Sequence, residues 1–419
     1  MKLIFCIPAV ALCLCSFALS QATETVLYSF GAYPTDGTFP VGGLLFDSSG
    51  NIFGTTSGGG TYCQSNGGCG TIYELSPTIG VGWTETILYN FCPSGGTCPD
   101  GFTPFAGLIM DGAGNLYGTT ASGGSGGVGT VFRLSPPSNG GSWTYTVLWN
   151  FAMRDPSNGD IPGYGKLNMD ASGNIYGTTI LGGAKDLGVV FELSPVVDGT
   201  YTFSILHSFS GSDGAEPQYG VAIDGAGNLY GTTEVGGIGR SICSQGGCGL
   251  VYELSRSTGA WQETVLYKFD GVKGQYPVTP ISIDKFGDLY GTFEIGGGGS
   301  CFFGTCGGVF KLAPGASGNT GKKYTFYFNG GHAGGNPESG VLVESDNILY
   351  GTIGAVGPGN VYKLNYEHEN ILYNFCSLPN CADGSWPEVG TIVSHEGLLY
   401  GNTGLGGTNG VGVVYSLTK

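Results

Sequence analysis

Carboxylates that recur in most repeats of this sequence are the residues best suited to acid–base chemistry. They belong to a loop pattern, Asp-Gly-x-x-Pro, found at residues 36–40, 100–104, 158–162 (with Asn), 213–217 and 383–387, altered at 273–277 and shortened at 335–337. Hydrolysis of a glycosidic bond requires two carboxyl groups about 5 to 10 Å apart. The carboxylates that could supply such a pair are Asp36, Asp100, Asp213, Glu216, Asp383 and Glu388. Sequence spacing does not select two of them, so a carbohydrate-active hydrolase or lyase is an alternative hypothesis and no catalytic residue is predicted.

Aromatic residues surround the same loops and differ from one repeat to the next. They are Tyr33, Phe39, Phe102, Phe105, Tyr164, Tyr219, Tyr276 and Trp386. An aromatic ring can cover the apolar C–H face of a sugar. We therefore predict that these rings, with Asp36, Asp100, Asp213 and Asp383, bind a ligand, and our hypothesis for the ligand is carbohydrate. The structural alternative is that Asp-Gly forms a turn, Pro fixes the start of the next strand and the rings fill gaps between repeats.

Other catalytic and metal-binding patterns do not stand in a fitting context. No Gly-x-Ser-x-Gly elbow, His-Glu-x-x-His helix or phosphate-binding loop stands in a context that would support its chemistry. The His residues are scattered, at His207, His332, His368 and His395. An Asp that recurs at strand ends, as in Asp47 and Asp111, is expected to cap a turn, and a calcium site is the alternative. We predict no cofactor and no metal.

Ten cysteines after residue 22 fall into five close pairs. They are Cys63 with Cys69, Cys92 with Cys98, Cys243 with Cys248, Cys301 with Cys306, and Cys376 with Cys381. An even number of cysteines in local pairs is typical of disulfides in an exported protein, whereas a metal site would require CxxC spacing and partner His. Each disulfide would close a very short loop and stiffen it.

The first 22 residues are typical of a signal peptide. Lys2 supplies a positive start, an apolar stretch covers residues 3–19, and small residues follow at Ser20 and Ala22. The alternative is an uncleaved membrane anchor. Cleavage would leave residues 23–419, with 14 basic and 31 acidic residues and a net charge of −17. Such a charge excludes general attraction to nucleic acid or anionic membranes. We expect a secreted, extracellular monomer, or one held in the periplasm or at the cell surface, without a transmembrane segment after cleavage.

A repeat of about 60 residues predicts the fold. Its most visible part is an aromatic residue followed by Gly and, in six copies, Thr; the aromatic residues are Phe53, Tyr117, Tyr176, Tyr230, Tyr290, Tyr350 and Tyr400. Seven copies with β-strand character at a period of 40 to 60 residues indicate the blades of a β-propeller. In the second copy, strands a, b, c and d are predicted at residues 107–111, 115–120, 130–134 and 145–151. We therefore predict an all-β, seven-bladed propeller that occupies residues 23–419 as one domain.

The turn between strands a and b and the ends of the chain support this architecture. Three residues after the end of each strand a stands a residue that tolerates positive φ: Gly50, Gly114, Gly173, Gly227, Gly287, Asn347 and Gly397. The sequence after the signal peptide opens with a d-type strand, residues 24–30, and closes with a c-type strand, residues 413–417. The first strand is therefore expected to complete the last blade and close the ring.

In a propeller, the b–c and d–a loops share one face, and all five cysteine pairs fall in those loops. Long, stiffened loops on one face of a rigid ring mark a binding surface. The alternative is that the disulfides only protect Gly-rich loops from proteolysis. We call this surface the loop-rich face.

The repeats resemble a known family. Residues 114–120, Gly-Asn-Leu-Tyr-Gly-Thr-Thr, and residues 129–136, Gly-Thr-Val-Phe-Arg-Leu-Ser-Pro, are similar to the GloVer tandem repeat of "choice-of-anchor" bacterial proteins. The resemblance covers essentially the whole chain after residue 22, with Ile353 and Asn402 in place of Thr in the last two copies. It implies an exported bacterial repeat protein. Some members carry a C-terminal sorting anchor, which is not expected here because the chain ends at Leu417-Thr418-Lys419.

Three functions follow as hypotheses. The first is a non-catalytic binding or adhesion module that contacts an extracellular polysaccharide or a surface protein. The second is the carbohydrate-active enzyme, and the third is a structural component of the cell envelope. A fold supports none of them by itself, because propellers carry many unrelated functions.

Overall fold

The computed structural model describes residues 22–31, 34–63, 67–93, 96–138, 140–237, 243, 246–256, 259–301, 304–313, 324–330, 334–345, 348–354, 357–365, 368–387 and 390–419. Four residues singled out in the sequence, Tyr33, His332, Asn347 and Glu388, lie outside these ranges, as does the predicted signal peptide apart from Ala22. Among the described residues, no helix has both the length and the apolar composition needed to span a bilayer.

Seven antiparallel sheets form the blades, and in each one strands a to d follow one another across the sheet. The strands of blades 1 to 3 are β2 (Gly37–Phe46), β3 (Ile52–Gly59), β4 (Thr71–Thr78) and β5 (Gly82–Asn90); β6 (Ile109–Met110), β7 (Leu116–Thr120), β8 (Gly127–Ser135) and β9 (Thr144–Ala152); and β10 (Gly159–Pro162) with β11 (Asn168–Met169), β12 (Ile175–Gly182), β13 (Val189–Pro195) and β14 (Tyr201–Ser208).

The strands of blades 4 to 6 are β15 (Val221–Ile223), β16 (Leu229–Thr233), β17 (Leu250–Arg256) and β18 (Trp261–Lys268); β19 (Ser282–Ile283), β20 (Leu289–Phe293), β21 (Gly308–Leu312) and β22 (Tyr324–Tyr327); and β23 (Leu342–Ser345), β24 (Ile348–Ile353), β25 (Asn360–Asn365) and β26 (His368–Asn374). A short 3-10 helix spans Pro379–Cys381 in the loop that follows.

Blade 7 joins the two ends of the chain. It contains β27 (Val393–His395), β28 (Leu398–Thr403), β29 (Val413–Thr418) and, as its outer strand, β1 (Glu24–Ser29). Glu24 lies opposite Leu417 and Ser29 lies opposite Val413 in an antiparallel register. The predicted seven-bladed propeller and its closure by the N-terminal strand are confirmed.

The core of the ring is a set of aromatic contacts between neighbouring blades. A Phe at the end of strand d, or directly after it, packs edge-on against the aromatic residue of strand c in the next blade, with ring centroids 5.0 to 5.6 Å apart. The pairs are Phe30–Tyr73, Phe91–Phe132, Phe151–Phe191, Phe209–Tyr252, Phe269–Phe310, Phe328–Tyr362 and Phe375–Tyr415. Each pair joins two neighbouring blades, and both of its rings are buried. The pairs therefore hold each blade to the next as well as contributing to the core.

The glycine of the aromatic-Gly-Thr motif makes room for the same rings. A Cβ atom at Gly54 would lie 2.3 Å from the hydroxyl of Tyr73, and one at Gly118 would lie 2.6 Å from Phe132. The corresponding glycines of the other blades face their own strand-c ring at 2.3 to 2.6 Å. Glycine is therefore required in strand b because a ring from strand c lies directly over it.

The a–b turns have the predicted Asp cap. In the first blade, Asp47 Oδ1 accepts hydrogen bonds from the backbone N–H groups of Ser49 and Asn51, both at 2.8 Å, and Oδ2 accepts from the Asn51 amide at 2.9 Å. Gly50 in this turn has φ +83°. Because the turn itself uses the carboxylate oxygens, the Asp acts as an Asx-turn residue.

Candidate functional site

The loop-rich face contains one strained residue in every blade, directly before the Pro of the Asp-Gly-x-x-Pro pattern. Its φ lies between +51° and +64°, in the left-handed region, although it is never a Gly. The seven residues are Phe39, Thr103, Ile161, Glu216, Tyr276, Asn336 and Trp386. This conformation is unfavourable for a side chain and unusual before proline, so the surrounding structure must impose it.

An interblade hydrogen bond imposes this conformation. Six of the seven residues donate their backbone N–H to a carbonyl oxygen of the preceding blade at 2.8 to 3.1 Å. The acceptor is the residue just before the Gly that leads into strand c, as in the bond from Thr103 to Cys69. The next residue, Pro104, packs against that Gly, since a Cβ at Gly70 would lie 2.7 Å from the Pro104 ring. We call this arrangement the interblade joint, and it gives the loop pattern a structural role.

The predicted aspartates support these joints. Asp36, Asp100 and Asp383 are buried, and each accepts a hydrogen bond from a tyrosine hydroxyl of the preceding strand d. The donors are Tyr28 at 3.0 Å, Tyr89 at 2.9 Å and Tyr373 at 2.8 Å. Asp213 is half-buried and lies 3.2 Å from Nε2 of His207. The carboxylates thus fasten loops to outer strands, and their direct contact with a ligand stays a prediction.

The predicted aromatic set divides by exposure. Phe39 and Trp386 are 40% and 41% exposed, which is unusual for rings of this size. Tyr276 is buried against neighbouring loop residues, and Phe102 packs against the cluster between blades 1 and 2. Tyr33 lies outside the described residues. Two rings are therefore presented to solvent, where a ligand could reach them, while others fill gaps between blades.

Phe39 and Trp386 line one cleft on the loop-rich face. The cleft has a volume of about 250 Å³ and is also lined by Phe105, Ser57 and Asn402. Phe39 and Trp386 occupy equivalent positions of blades 1 and 7, which are neighbours because the ring closes there. Three rings around a cleft with a hydroxyl and an amide offer both stacking and hydrogen bonding to a ligand.

A line of aromatic rings connects this cleft with the central channel. The Phe105 ring lies 5.5 Å from that of Tyr164, which in turn lies 6.4 Å from that of Tyr219. Both tyrosines line the channel, which has a volume of about 610 Å³ and is walled by the a strands of all seven blades. The predicted residues Phe105, Tyr164 and Tyr219 are thus brought together on one side of the mouth.

Acidic residues lie close to the same two tyrosines, since the charge of Glu234 acts on both Tyr164 and Tyr219. Burial raises the pKa of Glu234 to about 7, and the nearby carboxylates of Glu216 and Glu294 add to this effect. Burial likewise raises the pKa of Glu294 to about 7, together with the charge of Glu338. The backbone N–H of Glu234 donates to the carbonyl of Glu216 at 3.1 Å, which ties these two loops together. Near neutral pH these carboxyl groups can either hold or release a proton, as general acids and bases must.

Of these glutamates only Glu216 was predicted from the sequence, although the sequence also carries a signal for two others. Glu234 and Glu294 follow strand b at the same repeat position, where the other blades have Ser, Ala, Ile or Gly. Comparison of the seven copies with one another could have revealed these two residues, because each is acidic where the other copies have a small or apolar residue. Glu338 and Lys166 also line the channel, and no repeat pattern distinguished them.

Five disulfides stiffen the same face, and they join the cysteine pairs that the sequence indicated. They are Cys63–Cys69, Cys92–Cys98, Cys243–Cys248, Cys301–Cys306 and Cys376–Cys381. The first two lie close together, and ligand atoms of all four cysteines are within 4.8 Å of one another. Because each sulfur is already bonded to its partner, this group has no thiolate with which to bind a metal.

Comparison with known proteins identifies the repeat and supports the fold. A family model described as the Gloeobacter/Verrucomicrobia repeat matches residues 14–242, 106–360 and 240–419. No curated protein matches the chain significantly.

Among solved structures, the polysaccharide lyase Uly1 is similar in fold, with a TM-score of 0.51 and 10% identity over 94% of this chain and 92% of the lyase. Trypanosoma rangeli sialidase has a TM-score of 0.43 and 12% identity over 94% of this chain and 59% of the sialidase.

Proposed function

For a chain that belongs to the Gloeobacter/Verrucomicrobia repeat family, we propose the function of an extracellular, non-catalytic binding module that recognises carbohydrate through its loop-rich face. In this proposal residues 1–22 are a signal peptide and residues 23–419 act as a monomeric propeller. Five disulfides support an oxidising compartment, since such bonds persist mainly in exported proteins.

The cleft between blades 7, 1 and 2 is the observation that carries the proposal. Phe39 and Trp386 are exposed rings held at left-handed φ by interblade joints, and Phe105 is the third ring of the same cleft. Strained residues persist where the structure over-determines them, and they concentrate at ligand-binding sites. Rings held in this way lose little conformational freedom when a ligand stacks on them, which favours binding.

Sugar is the ligand class that best suits this lining. The C–H faces of a pyranose ring stack on aromatic rings, and a sugar hydroxyl can donate to the oxygen of Ser57. The Ser57 hydroxyl itself donates to the Phe39 carbonyl, and the buried Asn402 amide donates to the Gly42 carbonyl, so both polar groups of the cleft are held in place by the protein. The likeness to a polysaccharide lyase supports the fold alone and does not identify a ligand.

The test is a binding screen of the disulfide-intact protein on a broad array of glycans and polysaccharides, with product analysis for every hit. Saturable binding without products is the expected result. The absence of binding to every glycan would overturn the carbohydrate proposal and favour a protein partner or a structural role in the envelope.

A carbohydrate-active enzyme is the second candidate function, favoured by the Glu234 and Glu294 pair. Both carboxyl groups have a pKa raised to about 7 and lie beside the channel tyrosine Tyr219. If the array yields products, the variants Glu234→Gln and Glu294→Gln should each lower turnover at least a hundredfold, because general acid–base catalysis contributes about 10² to 10⁴. Unchanged turnover in both variants would exclude these two residues as the catalytic pair.

A further inference from the structure

Lys166 has an unusual environment for a cation. It lines the central channel and is exposed to the solvent there. Within the described part of the chain it makes no ion pair, although the protein carries a formal net charge of −16. No other Lys or Arg is found among the described residues that line this channel. The walls of the channel nevertheless reduce the solvation of the side chain, and this partial desolvation lowers the pKa of its ammonium group.

Two glycines fix the backbone that carries Lys166. A Cβ at Gly163 would lie 2.4 Å from the carbonyl oxygen of Gln218, and one at Gly165 would lie 1.9 Å from that of Tyr219. The Gly165 N–H donates to the Gln218 carbonyl at 3.2 Å. Such close contact is possible only for glycine, and it locks this part of blade 3 onto blade 4. The backbone that carries the Lys166 side chain is therefore held rigidly.

Tyr164 and Tyr219 place two hydroxyl groups on the same side of the channel. Burial raises the pKa of both side chains, so their hydroxyls stay protonated at neutral pH and can donate hydrogen bonds. In the described part of the chain neither hydroxyl donates to a protein acceptor. An ammonium group with two free hydroxyl donors is a donor set that fits anionic oxygen atoms.

We propose that Lys166, Tyr164 and Tyr219 form a subsite for the carboxylate of an acidic sugar, at the channel end of the aromatic line. This inference rests on the proposed function and names the substrate class of the same face, a uronic-acid-containing polysaccharide. The 5.5 Å contact between Phe105 and Tyr164 connects the subsite with the aromatic cleft, so one glycan chain can reach both.

Electrostatics explains why one carboxylate fits better than a densely charged chain. A partly desolvated ammonium without a partner is unfavourable, and an arriving carboxylate regains that free energy through a charge-assisted hydrogen bond. Glu338 also lines the channel, and Glu234 and Glu294 lie near Tyr219. The several carboxyl groups repel a polysulfated chain, whereas the single cation can pair with one acidic group.

The subsite can be tested directly at the lysine. Reductive ¹³C-dimethylation keeps the positive charge, and the NMR signal of Lys166 can be assigned from its absence in Lys166→Gln. The probes are sodium galacturonate, sodium glucuronate, a galacturonate trimer, and the methyl ester of each, which keeps the sugar and removes the charge. The expected result is a saturable shift of the Lys166 signal with at least one free acid, and a response at least tenfold weaker with its ester.

Variants and a simple anion complete the test. Lys166→Gln should weaken binding of the acidic trimer at least tenfold, and Lys166→Arg should restore most of it. Lys273→Gln, which changes an exposed lysine of the loop-rich face outside the channel, should leave binding unchanged. No shift with any free acid, an equal shift with the esters, or an equal saturation by inorganic sulfate would overturn the proposal. Binding of neutral glycans through Trp386 should persist in Lys166→Gln, so failure of the subsite is distinguishable from failure of the proposed function.

Discussion

The backbone N–H of Trp386 donates a 2.8 Å hydrogen bond to the carbonyl oxygen of Pro358, which belongs to the preceding blade. The bond holds Trp386 at φ +64°, where a glycine would fit without strain and a larger residue costs about 1 to 2 kcal/mol. Five other blades hold the equivalent residue, such as Phe39 or Thr103, by the same hydrogen bond. One repeated backbone thus carries seven different side chains, of which Phe39 and Trp386 are exposed while Tyr276 and Asn336 are buried. The constant backbone support of the two exposed rings suits a recognition surface.

Because an aromatic ring packs over each strand-b glycine, we expect alanine at these positions to destabilise the protein. Gly54→Ala would place a Cβ 2.3 Å from the hydroxyl of Tyr73, which is fully buried and held by Phe30. We expect a loss of about 1 to 3 kcal/mol in the free energy of unfolding, measured by urea titration with the disulfides intact. The matched control is Gly112→Ala in an a–b turn, where a Cβ would have no neighbour within 4 Å. Equal losses in the two variants would contradict this account of the motif.

Because β1 closes the ring, we expect the protein to stay stable when β1 is transferred to the C-terminus, and to lose stability when β1 is deleted. The Thr418 N–H donates to the carbonyl of Thr23 at 3.1 Å, so the end of β29 lies beside the start of β1. A permuted chain that carries residues 23–30 after Lys419 through a linker of about four residues should keep the urea midpoint of the parent protein. Deletion of residues 23–30 should lower the midpoint markedly, because it leaves an open sheet edge. A deletion variant as stable as the parent would refute the closing role of β1.

The sequence allowed prediction of the features that repeat. The glycine at the a–b turn, the aromatic-Gly motif and the single strands at the two ends follow from local chemistry. The structure confirms the seven blades, and the six a–b turn glycines among the described residues all have positive φ. Strand boundaries were less accurate. The inner strand predicted at residues 107–111 is Ile109–Met110 in the structure, because Gly107 is in close contact with Gly43 of the neighbouring blade.

The site could be predicted only in part, because it depends on contacts between blades. The left-handed conformation of Trp386 arises from a carbonyl of another blade, and propensity alone would assign glycine to that position. Lys166 and Glu338 are 172 residues apart and line one channel only because the chain closes into a ring. Single departures from the repeat, such as Glu234 and Glu294, are the sequence features that mark such sites.

Half-buried glutamates of the outer strands predict how stability depends on pH. Burial raises the pKa of Glu369 to about 7, beside the buried ring of Tyr362. Since the folded-state pKa lies above the unfolded value of about 4.5, the fold favours the protonated form. This stabilisation is complete below pH 4.5 and is lost as the pH rises through 7. Three other glutamates of the outer strands behave alike. Burial is the main cause that raises the pKa of Glu24 and Glu263 to about 7 and that of Glu85 to about 8.

These glutamates should therefore make the free energy of unfolding fall between about pH 4.5 and pH 8. Glu369→Gln should make this decline shallower, because glutamine does not ionise. Hydrogen bonds from Thr200 lower the pKa of Asp198, so this residue is already ionised at pH 5 and Asp198→Asn should leave the slope between about pH 5 and 8 unchanged. Urea unfolding at five pH values measures the slope for each protein. A slope in Glu369→Gln identical to that of the parent would show that this residue does not titrate as expected.

The most direct test of the central claim is titration calorimetry with the glycan that binds most tightly on the array, comparing the parent protein, Trp386→Ala and Phe286→Ala. Phe286 is 64% exposed in an a–b turn on the opposite face, so its variant controls for the general loss of an exposed ring. We predict that Trp386→Ala weakens binding at least tenfold, equivalent to about 1.4 kcal/mol, while Phe286→Ala has no effect. Undiminished affinity in Trp386→Ala, with the fold intact by circular dichroism, would contradict the assignment of carbohydrate binding to the cleft.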